Sequence, residues 1–159
     1  MQKDCAFTRG DDRFRYRAAA IIVEDGCALF TTNSTVDYFY SVGGAVQLHE
    51  SAEDAVKREV LEETGVAYEI DRLAVIHENF FTGNSPSGPC KCHEIAFYFR
   101  MKPRGTRRLN SCSYTAGVRE EMCWLPVCDL DRYRAYPAFL KDFLREDPQE
   151  IVHIVTKER

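Results

Sequence analysis

An α+β domain is what this sequence predicts. β-prone runs bounded by turn residues make up most of the chain, and one helix with clear start and stop signals interrupts them. A second amphipathic stretch lies near the C-terminus, and no repeat, linker or low-complexity segment divides the chain. With 159 residues, 45% of them hydrophobic and 29% charged, the reading is one domain with a sizeable core.

Taken in order, residues 1–12 read as a loose lead-in. Phe14–Glu24 (FRYRAAAIIVE) is an aliphatic-rich strand that ends at the Asp25-Gly26 turn, with Cys27–Thr32 as its hairpin partner. Asn33–Asp37 is a loop, and Tyr38–Ser41 a short strand leading into Gly43-Gly44. A double glycine suits a tight turn and close backbone approach to a ligand. Ser51 caps the next helix, Glu53 and Asp54 place acids in its first turn, and Gly65 stops it after Thr64. Tyr68–Phe81 is one long strand or two broken ones. Thr82–Cys92 (TGNSPSGPCKC) reads as a loop, and His93–Met101 as a buried strand. Lys102–Gly117 is polar, Glu121–Pro126 is a strand around the sole tryptophan, Trp124, and Pro137–Arg145 is the second helix, with Pro137 in its first turn. Ile151–Thr156 closes the chain as a strand.

Charge and cysteine usage narrow the function. A net charge of −4 argues against a general binder of nucleic acid or of membrane surfaces. No apolar run approaches the ~20 residues of a membrane span, and the first residues lack the apolar core of a signal peptide. Seven scattered cysteines, an odd number, point away from a disulfide framework and towards a reducing cytoplasm. Cys90-Lys91-Cys92-His93 has half of a zinc knuckle, but no second Cys/His pair stands at normal spacing, so reduced cysteines are the better reading.

The chemistry concentrates in the first helix. Glu59, Glu62 and Glu63 stand at i, i+3 and i+4, so one face carries all three. At roughly 100° per residue that face overlaps the stripe of Ala52, Ala55 and Val56, with Leu61 on the other side. A merely solvated helix would set its charges opposite its apolar stripe. Clustered, partly desolvated carboxylates repel one another unless a cation neutralises them, and an all-oxygen donor set of this kind suits Mg²⁺ or Mn²⁺. Arg58, four residues before Glu62, is placed to orient one of the carboxylates.

The stretch Gly44–Val66 resembles the box of the Nudix family, G-x5-E-x7-R-E-U-x-E-E-x-G-U, where U is aliphatic. All nine specified positions are filled, by Gly44, Glu50, Arg58, Glu59, Val60, Glu62, Glu63, Gly65 and Val66. The resemblance implies an α/β/α sandwich with a mixed central sheet. It also implies metal-dependent hydrolysis of a diphosphate linkage in a nucleoside diphosphate derivative: a nucleoside triphosphate, ADP-ribose, a nucleotide sugar or a dinucleotide. On that likeness Glu59, Glu62 and Glu63 hold Mg²⁺ or Mn²⁺ with the Gly44 carbonyl, one of them takes a proton from the attacking water, and Glu50 and Arg58 support them. Two departures stand at the edges, Val42 where many relatives have Pro and His49 where many have Gly. Both bear on loop geometry and leave the ligands in place.

Outside the box, Tyr38, Phe39 and Tyr40 occupy a place where relatives carry aromatics. Phe39 and Tyr40 are candidates to stack a base or sugar, against the alternative of core packing. The polar centre of His77-Glu78-Asn79-Phe80-Phe81 suggests that Glu78 or Asn79 faces the cleft, whereas His77 and His93 read as core histidines. The basic run Lys102, Arg104, Arg107 and Arg108 is either a solvated face or a receiver of anionic substrate. Glu120, just before Trp124, is a further carboxylate of the kind that relatives supply from this region. The expected partner is a small nucleotide, with a homodimer possible by the same likeness. The rival is a non-catalytic module that binds a nucleotide and regulates something else; an intact set of glutamates favours the enzyme. A decapping-type enzyme acting on RNA ends would want a basic face that this acidic chain does not offer.

Overall fold

The run Ala18-Ala19-Ala20-Ile21-Ile22 sets the architecture, because a strand buried on both faces needs apolar residues at every position. In the computed structural model, which describes residues 2–158, Ala18, Ala20 and Ile22 point into one core and Ala19 and Ile21 into another. The strand carrying most of this run, β2 (Asp12–Ile21), follows β1 (Ala6–Arg9) and precedes the short β3 (Val23–Glu24) and β4 (Cys27–Asn33). Next come β5 (Phe39–Tyr40), β6 (Val42–Ala45), the helix α1 (Ala52–Thr64), and the long pair β7 (Ile70–Ser85) and β8 (Gly88–Met101). The chain ends with β9 (Tyr114–Thr115), β10 (Val118–Pro126), a 3-10 turn (Val127–Arg132), β11 (Ala135–Tyr136), α2 (Leu140–Glu146) and β12 (Val152–Lys157).

These strands form two mixed sheets. The first runs β1-β2-β8-β7-β12 with β6 also on β2, and β2–β8 and β7–β12 are its parallel pairs. The second runs β11-β5-β4-β10-β9 with β3 on β4. Helix α1 buries Ala52, Ala55, Val56 and Val60 on one face of β2 and β8; Leu140 and Phe143 of α2 join the core on the other. The result is the α+β, layered arrangement expected from the sequence, with the central layer made of two sheets. Among the described residues no helix is long and apolar enough to cross a membrane.

Four local expectations change. The lead-in holds β1, which pairs with β2 from Ala6↔Arg15 to Arg9↔Asp12 around the Gly10 turn. Thr82–Cys92 is mostly strand: β7 and β8 stay paired out to Ser85↔Gly88, so turn geometry is confined to Pro86-Ser87, and ladder pairing overrides the Gly/Pro/Ser composition. The second helix begins at Leu140, because the N–H groups of Leu140 and Lys141 reach back only three residues, to the carbonyls of Pro137 and Ala138. His93 is exposed, with its ring stacked on Phe80; His77 is buried as expected.

Candidate active site

Helix α1 holds its carboxylates in place at both ends. At the start the Ser51 hydroxyl accepts the Asp54 N–H at 3.1 Å. At the other end Gly65 adopts φ +73° and returns its N–H to the Leu61 carbonyl. The polar segment before β9 then lies across this end. Asn110 donates its N–H to the Thr64 carbonyl at 2.8 Å, and the Ser111 hydroxyl donates to the Glu63 carbonyl at 2.6 Å. Otherwise orphaned helix carbonyls are thereby satisfied. The segment is anchored in turn by buried Glu24, which accepts the N–H groups of Arg104 and Gly105.

Arg58 fastens α1 to the loop before it. Its Nε and Nη2 grip both oxygens of Glu50 at 2.9 and 3.0 Å, Nη2 also reaches the Ala45 carbonyl, and Nη1 donates to Glu59 at 2.8 Å. The contact to Glu62 is longer, 3.6 Å. The i, i+4 spacing alone pairs Arg58 with Glu62. The extended side chain instead bends towards Glu50, which the wheel of one helix does not represent. The fork holds the Glu50 carboxyl below its ordinary range. Gly44 passes directly over Glu59, and a Cβ there would stand 2.4 Å from Glu59 Oε1, so no side chain fits without displacing the carboxylate.

Glu63 is the most enclosed of the three helix glutamates. It is buried, and Oε2 accepts the Gly43 N–H at 3.0 Å. Burial first, and then the charge of Glu120, push its carboxyl up to about 9. Burial also raises Glu59, although Arg58 opposes it. Glu62 is largely exposed, so the shared desolvation expected for all three holds for two.

The second sheet closes the cleft. Buried Glu120 accepts the Tyr40 hydroxyl at 2.8 Å on one oxygen and the Ser113 hydroxyl at 2.7 Å on the other. Burial and the bond to Glu120 push the Tyr40 phenol well up. From β2 comes Arg17, buried and donating to the Ser41 hydroxyl and carbonyl at 2.9 Å and to the Tyr98 hydroxyl at 3.3 Å. Arg15 beside it grips buried Glu94. Arg15, Arg17, Tyr40, Glu59, Glu62, Glu63, Ser113 and Glu120 line one cleft of about 320 Å³.

The family model described as the NUDIX domain matches residues 13–146. The chain belongs to the Nudix family. A MutT-like protein of Streptomyces ambofaciens is 32% identical over 99 residues, which are 62% of this chain and 58% of that protein. The match thus spans little more than half of the relative's length. Two solved structures share the fold: a MutT protein from Methanosarcina mazei Go1 (TM-score 0.61, 20% identity, 87% of this chain and 95% of that one) and an ADP-ribose pyrophosphatase from Streptococcus suis (TM-score 0.57, 16% identity, 89% and 98%).

Within the Nudix box the structure brings Gly44, Glu50, Arg58, Glu59, Glu62 and Glu63 to one place, and Glu120 and Tyr40 join them from the second sheet. Two expected substrate contacts do not join. Phe39 packs edge-on against Tyr133 in the core beneath α2, because neighbours on a strand point to opposite faces and Tyr40 takes the cleft side. Glu78 bonds His153 at 2.7 Å on the sheet face opposite His77, again by alternation. In the basic run Arg104 and Arg107 bond carbonyls of Arg108 and Asp25, and none of the four lines the cleft. Arg15, Arg17 and Ser113 escaped notice in the sequence. The signal for the arginines was their alternation in R-F-R-Y-R, which puts Arg13, Arg15 and Arg17 on one strand face.

The donor set of this Nudix cleft fits a hard divalent cation, since its four carboxylates and the hydroxyls of Tyr40 and Ser113 present oxygen alone. Three guanidinium groups stand near the four acids, and two of them are already shared with other carboxylates, Arg15 with Glu94 and Arg58 with Glu50. With Glu59 drawn to Arg58 and Glu62 turned to solvent, no three acidic, His or Cys side chains converge on one ion position among the described residues.

Proposed function

We propose that this protein hydrolyses a phosphoanhydride bond in a nucleoside diphosphate derivative, using Mg²⁺ or Mn²⁺. One observation carries the reading: a buried glutamate, Glu63, shares a cleft with Glu59, Glu62 and Glu120, where burial first and neighbouring charge second oppose its ionisation, and a bound cation would relieve both. In this reading Glu59, Glu62 and Glu63 hold the cation with the Gly44 carbonyl, and Glu120 adds a fourth carboxylate. A bound cation supplies neutralisation of the charge that builds on the phosphates during transfer.

The chain's own groups do the rest. Arg17, fixed by Ser41 and Tyr98, presents a preorganised guanidinium to a substrate phosphate. Glu62, the least restrained of the cluster, takes the proton of the attacking water. Arg58 holds Glu59 and ties the helix to Glu50, so it is a positioning residue. Tyr40 and Ser113 fix both oxygens of Glu120.

The test is a panel of nucleoside triphosphates, dinucleotides, ADP-ribose and nucleotide sugars with Mg²⁺ or Mn²⁺, assayed for release of phosphate or mononucleotide. Turnover of at least one class is the expected result. Tight, metal-dependent binding across the panel without release would overturn the hydrolase in favour of a nucleotide-binding module.

A further inference from the structure

Arg13, Arg15 and Arg17 alternate along β2, so all three project from one face of the sheet over about 13 Å, at roughly 3.3 Å per residue. Each of the first two belongs to two adjoining cavities. Arg15 lines both the carboxylate cleft and a neighbouring hollow of about 150 Å³, and Arg13 lines that hollow and the larger recess beyond it. The arginines therefore mark a continuous track that leads away from Glu63.

Their bonding state changes along that track. Arg17 gives Nη1 and one Nη2 hydrogen to Ser41 and Tyr98, which fixes its fork and leaves Nε, without an acceptor among the described residues, free to meet a ligand. Arg15 spends Nε and Nη2 on Glu94, a pair that cancels in charge and leaves Nη1 without an acceptor among the described residues. Arg13, half-buried, has no hydrogen-bond or ion-pair partner among the described residues. The small hollow thus holds one uncompensated positive charge and unspent guanidinium donors. Phe81 forms an apolar wall and Asn84 adds an amide at its rim. A volume of 150 Å³ is well below the roughly 300 Å³ at which pockets begin to enclose drug-sized ligands, so it takes a group rather than a nucleoside. A phosphoryl group is the anion that guanidinium forks recognise best.

We infer that the substrate bears a further phosphate monoester on the moiety beyond the scissile diphosphate, and that Arg13 and Arg15 receive it. The inference rests on the hydrolase reading, with the diphosphate at Arg17 and the carboxylates. A diphosphate seated there does not reach Arg13, so what does reach it belongs to the distal group.

The experiment uses matched pairs: a dinucleotide with and without a phosphate on its distal ribose, and a nucleotide sugar with and without a sugar phosphate. The kcat/KM ratio within each pair and the calorimetric Kd ratio in the presence of Mg²⁺ are measured for wild type, Arg13→Gln and Arg132→Gln. Arg132 is an exposed arginine elsewhere on the surface and controls for the lost charge. The expected result is at least a tenfold preference for the phosphorylated member, carried mainly by KM. The preference should collapse in Arg13→Gln and persist in Arg132→Gln. Equal constants within both pairs, or the same ratio in Arg13→Gln as in wild type, would overturn the inference. If no compound is turned over, the hydrolase reading falls, and the Kd ratio still decides for or against the subsite.

Discussion

Glu63 carries the clearest consequence at the scale of one residue. Its carboxyl stands at about 9 in the folded, metal-free chain against an ordinary 4.5, so between these values the folded state keeps a proton that the unfolded chain has lost. Its contribution to stability is full below about pH 4.5 and is lost as pH rises through about 9. In excess chelator the melting temperature of wild type should therefore fall more steeply across that window than that of Glu63→Gln; parallel profiles would remove Glu63 as the cause. With Mg²⁺ present, Glu62→Gln and Glu63→Gln should each lower turnover by orders of magnitude, while Glu53→Gln, exposed on the same helix, changes little. Similar losses in all three would break the link between helix face and activity. His49, where many relatives have glycine, adopts a left-handed φ of +68°. Non-glycine residues there pay about 1–2 kcal/mol, so His49→Gly should raise stability by ~0.5–1 kcal/mol in denaturant melts once glycine's added chain entropy of roughly 0.5–1 kcal/mol is counted.

At the scale of elements, α1 was the most legible part of the chain. Its start, cap and stop follow from Ser51, the acidic first turn and Gly65, all read within a few residues of one another. The outer halves of β7 and β8 were not legible, because a ladder depends on a partner strand and Gly, Pro and Ser hide that pairing. The site divides in the same way. Gly44 to Glu63 is local and readable, whereas the bond from Tyr40 to Glu120 joins residues 80 apart in sequence, and Arg17 lies far from the box it faces. Arg58 belongs to this scale too, since it joins helix to loop through a two-pronged grip on Glu50. Arg58→Lys substitutes a point charge for that fork. It should weaken Mg²⁺ affinity and turnover ten- to hundredfold, as is typical when a support of a metal ligand is lost. Titration calorimetry showing wild-type Mg²⁺ affinity would confine Arg58 to holding the loop.

Across the whole molecule, the cleft needs both sheets: α1 and β2 bring Glu59, Glu62, Glu63 and Arg17, and the second sheet brings Tyr40 and Glu120. A cation bound there favours the assembled state alone. Mg²⁺ at a hundred times its Kd should add about 2.7 kcal/mol to stability, and excess chelator should abolish turnover. Full activity under chelation would end the metal reading. Strand β2 links these demands through its odd and even positions. Even residues meet α1, while odd residues supply Ala19 and Ile21 to the other core and the arginines to the cleft. The strand therefore behaves like text with a reading frame of two. A single residue inserted beside Arg17 would throw the frame for one side, sending arginines towards the helix or alanines towards the cleft. Length change in this strand is tolerable only in pairs, so substitution, rather than insertion, is the route by which its arginine track can be altered.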